Sequence, residues 1–371
     1  MSGPERVDVL VVGAGQAGLG TAYELGRRAP DLSVLVVDGA PRAGQAWLDR
    51  WDSLRLFTPR RFSELPGLRF PAGPTRCPDR VEMAAYLQEY VRAHRIRVRT
   101  GSRVERVTRT TEGFLVEAGG WRAAARHVVV ATGPFHDRFV PPAATELGPG
   151  VRQLHSYDYR SPDDLPEREV VVVGGGNSAA QLALELAEVR EVTMVTPRAP
   201  WFVPSQVLGV STYHVMEWFG ILQADPDGPV GRYVRRRGDP VFGKELQPLL
   251  RDGRVRLRAS RVVGAEADRL LLADGSSVRT QAVLWCTGFH STFPWLEVPG
   301  ALDAEGAPRS QSGASPVPGL HWMGLPWQSR LDSSIVHGVH ADARRTARGI
   351  VEALGGVPGP DRAADQGAAV A

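Results

Sequence analysis

Two stretches of this sequence can do chemistry through the backbone rather than through side chains. Gly13-Ala14-Gly15-Gln16-Ala17-Gly18 follows an apolar run over residues 7–12 and reads G-x-G-x-x-G. Gly174-Gly175-Gly176-Asn177-Ser178-Ala179 follows four valines, 170–173, and reads G-x-G-x-x-A. In each, the first glycine permits a tight turn and the second lets the backbone approach a pyrophosphate. The third small residue lets helix and strand pack closely. The helix that opens there offers free N–H groups and a positive dipole end to phosphate. Dinucleotide binding is therefore expected at both turns.

The residues further along differ between the two. Asp38 ends the second strand of the first unit, where a carboxylate can bind ribose hydroxyls. The second unit has Thr196-Pro197-Arg198 at that place. An acid there would repel a 2′-phosphate, whereas an arginine pairs with it through charge-assisted hydrogen bonds. Arg198 thus favours NADPH over NADH. The glycines of the first turn do not choose between FAD and NAD. Gly44-Gln45-Ala46-Trp47, with Trp51 and Phe57, form an aromatic loop that could lie beside an isoalloxazine ring or equally fill a core.

The elements that must position these residues form an internal repeat. Residues 7–38 and 169–196 each read as strand, turn, helix, strand, with helices expected over 16–28 and 178–188. Each is a βαβ unit and implies a parallel sheet. Val128-Val129-Val130-Ala131-Thr132-Gly133 precedes the second unit and Val283-Leu284-Trp285-Cys286-Thr287-Gly288 follows it. Symmetric junctions of this kind mark an inserted domain. The expected fold class is α/β, with two Rossmann-like dinucleotide-binding domains, the NADPH domain inserted into the FAD domain. The FAD domain is expected over 1–165 and 287–355, the NADPH domain over 166–286, and a disordered tail over 356–371. Short strands are expected over 101–107, 114–118, 255–263 and 269–272. The last helix is expected over 334–354, with a hydroxyl N-cap just before it and its N-terminus aimed at the pyrimidine end of the flavin. His337, His340 and Asp342 read as a packed helix face, and no metal is expected.

Composition excludes several classes. The chain has 371 residues, 43% hydrophobic and 23% charged, a globular balance for two ordinary domains. Its two cysteines, Cys77 and Cys286, are far apart and form no Cys-x-x-Cys, which argues against a disulfide scaffold, a zinc ribbon and a local dithiol. The net charge of +3 is carried almost wholly by scattered arginines. The clusters at 95–99 and 235–237 have no interleaved stacking platform and read as solvated faces, so no nucleic-acid partner is expected. No run is long and apolar enough to span a membrane, and no signal peptide opens the chain, so a cytoplasmic location is expected.

With these residues in hand, the chain resembles the class B flavin-dependent monooxygenases: the flavin-containing monooxygenases, the plant YUCCA enzymes and the bacterial CzcO-like flavoproteins. The resemblance runs from about residue 7 to 350. It is carried by both glycine turns, Trp51-Asp52-Ser53-Leu54-Arg55-Leu56-Phe57-Thr58-Pro59, both Thr-Gly junctions and Gly324-Leu325-Pro326-Trp327-Gln328. It implies FAD contacts from Gly13, Gly15, Gly18, Asp38, Gln45, Trp47, Thr132, Gly133 and Gln328. It implies NADPH contacts from Gly174, Gly176, Asn177, Ser178, Arg198, Thr287 and Gly288. His155 and Tyr159 keep the second half of the family's F-x-G-x-x-x-H-x-x-x-W/Y fingerprint, while Pro149 and Val151 depart from the first half. Thr58-Pro59 stands where the animal enzymes have an asparagine.

The implied chemistry is reduction of the flavin by NADPH, formation of a C4a-(hydro)peroxide with dioxygen, and transfer of one oxygen atom to a small organic substrate, at nitrogen, sulfur or a carbonyl. His155 and Thr58 are the side-chain candidates for catalysis, with a structural role the stronger reading for His155. The alternatives are an NADPH-dependent flavoprotein reductase with a non-oxygen acceptor and a flavin-binding regulatory protein. The oligomeric state is open, a homodimer included.

Overall fold

The computed structural model describes residues 3–71, 73, 76–166, 168–333 and 335–356. Its centre is the strand Glu5–Val12, paired in parallel with Val34–Val37 on one side and Trp121–Val130 on the other. A strand covered on both faces has no polar side to show, which is why the run is continuous rather than alternating. Val9 and Val11 enter one core with Leu19, Val36 and Val339. Leu10 and Val12 enter the opposite core with Leu35, Val128 and Phe114. The sheet runs Leu296–Glu297, Arg106–Thr110, Gly113–Ala118, Trp121–Val130, Glu5–Val12, Val34–Val37, Val98–Arg99, with Leu320–Trp322 paired to Trp121–Val130.

The second sheet is parallel throughout. Its order is Val255–Ala259, Val192–Thr196, Val170–Val173, Ala282–Trp285, Arg152–His155. An antiparallel ribbon of Val262–Glu266, Arg269–Leu272 and Ser277–Arg279 closes one face, burying Leu270 and Leu272 against Val171 and Val173. The chain leaves the first sheet after Trp121–Val130, builds the second, and returns through Leu296–Glu297 and Leu320–Trp322. The two crossings are stitched together where Asp137–Arg138 pairs with Phe289–His290.

Several boundaries differ from expectation. Arg152–His155 already pairs with Ala282–Trp285, so the second sheet begins ahead of residue 166. The strand expected over 255–263 is two strands, because Val255–Ala259 ends in the parallel sheet and Val262–Glu266 starts the ribbon. The expected strand over 101–107 begins only at Arg106. The last helix is Val336–Ala353, laid along Gln16–Arg28, with Ala22, Leu25, Ala343, Ala347 and Ile350 in the shared core. Its N-cap is Ile335, with no side-chain cap. The Ser333 hydroxyl instead accepts from the N–H groups of Ser329 and Arg330, closing the preceding turn. Ser334, and the expected tail beyond Gly356, lie outside the described residues.

Candidate functional site

At the first turn the three glycines have separate physical reasons. Gly13 holds φ +113°, and a Cβ there would sit 2.5 Å from the Ala131 carbonyl oxygen. At Gly18 a Cβ would sit 1.9 Å from the Gly13 oxygen, so helix and strand touch through this position. Gly15 is ordinary extended backbone, φ −83°, with nothing within 4 Å of an added Cβ. Its smallness keeps space open in front of a helix that has no side-chain cap. An open, uncapped helix N-terminus suits a phosphate.

Asp38 shapes this turn as well as ending its strand. One carboxylate oxygen accepts from the Ala14 N–H at 2.6 Å and the other from the Ala40 N–H at 2.7 Å. Each oxygen keeps a further lone pair for a hydroxyl donor. Two nearby polar atoms are buried with no partner: the Thr132 hydroxyl, next to Ala131, and Gln45 Oε1, whose amide nitrogen is tied to Asp49 at 2.9 Å. Buried orphans of this kind are rare in finished protein, and they fit a polar ligand seated against the turn. Gly44 donates its N–H to the Ala14 carbonyl, which brings the loop carrying Gln45 and Trp47 to the same place. Gly133 is left-handed, φ +74°, with open space beside it. Gln328 is more committed: its amide accepts from the Leu325 N–H at 3.3 Å and lies 3.7 Å from the Met323 sulfur.

The second turn repeats the plan. Gly174 holds φ +141° with a Cβ position 2.3 Å from the Cys286 carbonyl oxygen. Gly176 is open and precedes the uncapped helix Asn177–Leu186, on which Ser178 is half-buried. Asn177 is partly committed: its amide donates to the Pro240 carbonyl at 2.9 Å and accepts from the Phe242 N–H at 3.0 Å, which leaves one amide N–H, one oxygen lone pair and the backbone N–H for a cofactor. Arg198 is exposed, donating to the Arg236 carbonyl at 3.3 Å, and Arg237 lies 4.7 Å over the Trp201 ring. The end of the helix Pro229–Arg237 therefore comes to Arg198 through the Arg236 backbone, while Arg235, Arg236 and Arg237 are exposed, as expected of a solvated face.

Three candidates prove to be braces. His155 is buried; its Nε2 donates to the Gly288 carbonyl at 3.0 Å and its Nδ1 accepts from the Tyr157 N–H. Burial pushes its pKa down, against the Gly288 bond, and keeps it neutral. Thr287 donates its hydroxyl to the Phe139 carbonyl, joining the two crossings. The Thr58 hydroxyl is buried against Ser63 at 2.8 Å. The aromatic loop also divides: Trp51 is buried in the core of the second unit with Leu54, while Phe57 stacks on Phe242 at 5.2 Å. Phe57, Phe62, Tyr213, Leu222 and Phe242 form an apolar seam between the units. Trp218 and Phe219, from the same inserted stretch, are exposed. Among the described residues no group of His, Cys, Asp and Glu could hold a metal ion.

A family model described as pyridine nucleotide-disulphide oxidoreductase matches residues 10–215. The chain belongs to this family. A Geobacillus kaustophilus protein named as an uncharacterized CzcO-like oxidoreductase is 38% identical over 91% of this chain and 96% of its own. The rice indole-3-pyruvate monooxygenase YUCCA1 is 26% identical, covering 93% of this chain and 94% of its own. The structure of a flavin-containing monooxygenase from Stenotrophomonas maltophilia superposes with a TM-score of 0.76 at 29% identity, covering 94% of this chain and 99% of that one. The chain is thus an oxidoreductase of the flavin-monooxygenase kind within the pyridine nucleotide-disulphide oxidoreductase family. Cys77 and Cys286 are both free. No described helix is long and apolar enough to cross a membrane.

Proposed function

We propose that this chain is an NADPH-dependent flavin monooxygenase that places one oxygen atom of dioxygen on a small organic substrate, at nitrogen, sulfur or a carbonyl carbon. The observation that carries this reading is the pair of open, uncapped helix N-termini on two parallel sheets, one with Asp38 and the other with Arg198 at the end of its second strand. In this reading the first sheet's unit, before residue 152 and from 287 to 355, holds FAD, and the second sheet's unit holds NADPH.

The flavin supplies hydride acceptance and oxygen activation when bound. The chain's own residues supply binding and exclusion of water. The first turn, Asp38, Thr132 and Gln45 hold the flavin nucleotide. The second turn takes the NADPH pyrophosphate, and Arg198 pairs with the 2′-phosphate. The apolar seam of Phe57, Phe62, Tyr213 and Phe242 keeps bulk water from the space between the units, which limits loss of reducing equivalents to peroxide. His155 positions the crossing at Gly288 and moves no proton in this scheme.

The test is an incubation of holoenzyme with NADPH under ¹⁸O-labelled dioxygen and a panel of amines, sulfides and ketones, scored by product mass. One labelled oxygen per product molecule is expected. NADPH oxidation that yields only peroxide across the panel, or reduction of an added acceptor without oxygen, would replace this reading by the reductase.

A further inference from the structure

Arg50 lies in the loop that joins the two glycine-turn units. The loop begins at Gly44, bonded to the first turn through the Ala14 carbonyl. Immediately after Arg50 it buries Trp51 and Leu54 in the core of the second unit. The guanidinium is half-buried and stands over three rings: Phe135 at 4.9 Å, Tyr157 at 5.5 Å and Phe289 at 5.6 Å. Phe135 lies two residues past Gly133 of one Thr-Gly junction and Phe289 directly after Gly288 of the other, and they meet edge to face at 5.3 Å.

No hydrogen-bond acceptor for this guanidinium is recorded among the described residues. The adjacent acid, Asp49, accepts from Gln45 instead. The neighbouring arginines are both engaged: Arg138 with Asp158 at 2.6 Å, and Arg160 with the Asp49 carbonyl. An arginine does not shed its proton in a protein, so this charge is held in a partly desolvated place where the nearby Asp49 carboxylate acts on it without a direct hydrogen bond among the described residues. Burial pushes the Arg50 pKa down, a shift that the nearby Asp49 and Tyr157 only partly offset. Ring faces attract the positive charge, but they do not use the in-plane fork of N–H donors. That fork matches a carboxylate or a phosphate.

We propose that Arg50 receives an oxyanion beside the two crossings between the units, either the carboxylate of an aromatic substrate or a phosphate of NADPH. The three rings hold the guanidinium plane and offer an apolar surface to whatever carries the anion. This inference rests on the proposed function, because it assigns the recognition of that reaction's substrate or cofactor.

The experiment is calorimetric titration of the FAD-loaded protein, wild type, Arg50→Met and Arg50→Lys, with benzoate, benzamide and NADP⁺. Flavin content and melting temperature serve as controls for folding. In Arg50→Met we expect at least tenfold weaker binding of benzoate or of NADP⁺, with benzamide unaffected, and partial recovery in Arg50→Lys. Loss in the benzoate arm names a substrate carboxylate, and loss in the NADP⁺ arm names the cofactor phosphate. Both affinities within twofold of wild type in a folded Arg50→Met protein would overturn the proposal. If that variant does not keep FAD, Arg50→Lys decides, because it retains the charge and loses the fork: affinities within twofold for both ligands overturn the proposal, and a larger loss supports it. A wild-type protein that binds no NADP⁺ would instead sink the proposed function itself.

Discussion

At the scale of single residues, glycines of the same motif do different work and fail differently. Gly15 faces open space in ordinary extended backbone. Gly15→Val should therefore fold and melt near the wild-type temperature but purify without FAD, because its side chain occupies the phosphate's place. A visible spectrum and a melting curve check this, and normal flavin content would move FAD to another site. Arg198 makes the matching prediction at the second turn. Losing charge-assisted hydrogen bonds to a 2′-phosphate costs about 1.5–3 kcal/mol. Arg198→Ala should then weaken NADPH binding roughly tenfold to a hundredfold and leave NADH binding nearly unchanged. Equal losses for the two nucleotides, measured by titration, would remove the 2′-phosphate role. Both sites were legible in the sequence because backbone approach and a strand-end charge are local properties. The engagement of Asn177 was not legible, for the opposite reason. Its amide reaches more than sixty residues along the chain, to Pro240 and Phe242, and spacing within the turn carries no trace of that.

At the scale of elements, the closing helix Val336–Ala353 carries two half-buried histidines, His337 and His340, each with its pKa pushed down to about 4. Burial is the first cause for both. For His337 the neighbouring charges of Arg330, Arg61 and His340 add to it, and the Phe62 ring lies 5.0 Å away. The fold therefore prefers these rings neutral. As pH falls below about 6.5 the unfolded chain takes up protons that the folded chain refuses, so stability present near neutrality is lost between about 6.5 and 4. One pKa unit corresponds to about 1.4 kcal/mol, which sets roughly 3.5 kcal/mol as the upper bound for His337. The melting temperature should fall over that window, and His337→Phe should flatten part of the fall by removing one of the two groups. An unchanged pH slope in the variant would show that His337 takes no part. The helix itself was visible in the sequence. The identity of its cap was not, since Ser333 is taken by Ser329 and Arg330 one turn earlier.

At the scale of the whole molecule, the decisive feature is the seam where the inserted unit meets the first. Tyr213, 3% exposed, stacks on Phe242 at 4.9 Å and lies 5.6 Å from Phe62. Tyr213→Ala should destabilise the protein by about 3 kcal/mol, the usual cost of emptying a large aromatic site. If the seam keeps the reaction dry, the variant should also release more peroxide per NADPH consumed than wild type does. A peroxide assay run beside product counting checks this, and unchanged coupling would assign Tyr213 to stability alone.

The sequence by itself determined the two glycine turns, the parallel sheets behind them, the double crossing marked by the Thr-Gly junctions, and the difference between Asp38 and Arg198. Each depends on a few adjacent residues and on a periodicity that burial on both faces of a sheet imposes. Only the tertiary structure decided which side chains remain free for a ligand. Thr287 and Asn177 are site residues by resemblance, yet the Thr287 hydroxyl and the Asn177 amide each bond backbone far along the chain. Arg50 looks like any surface arginine, yet the folded chain surrounds its guanidinium with three rings. The physical reason is the same in both directions. A polar group's availability depends on the partners that long-range packing brings to it, and spacing along the chain does not encode them.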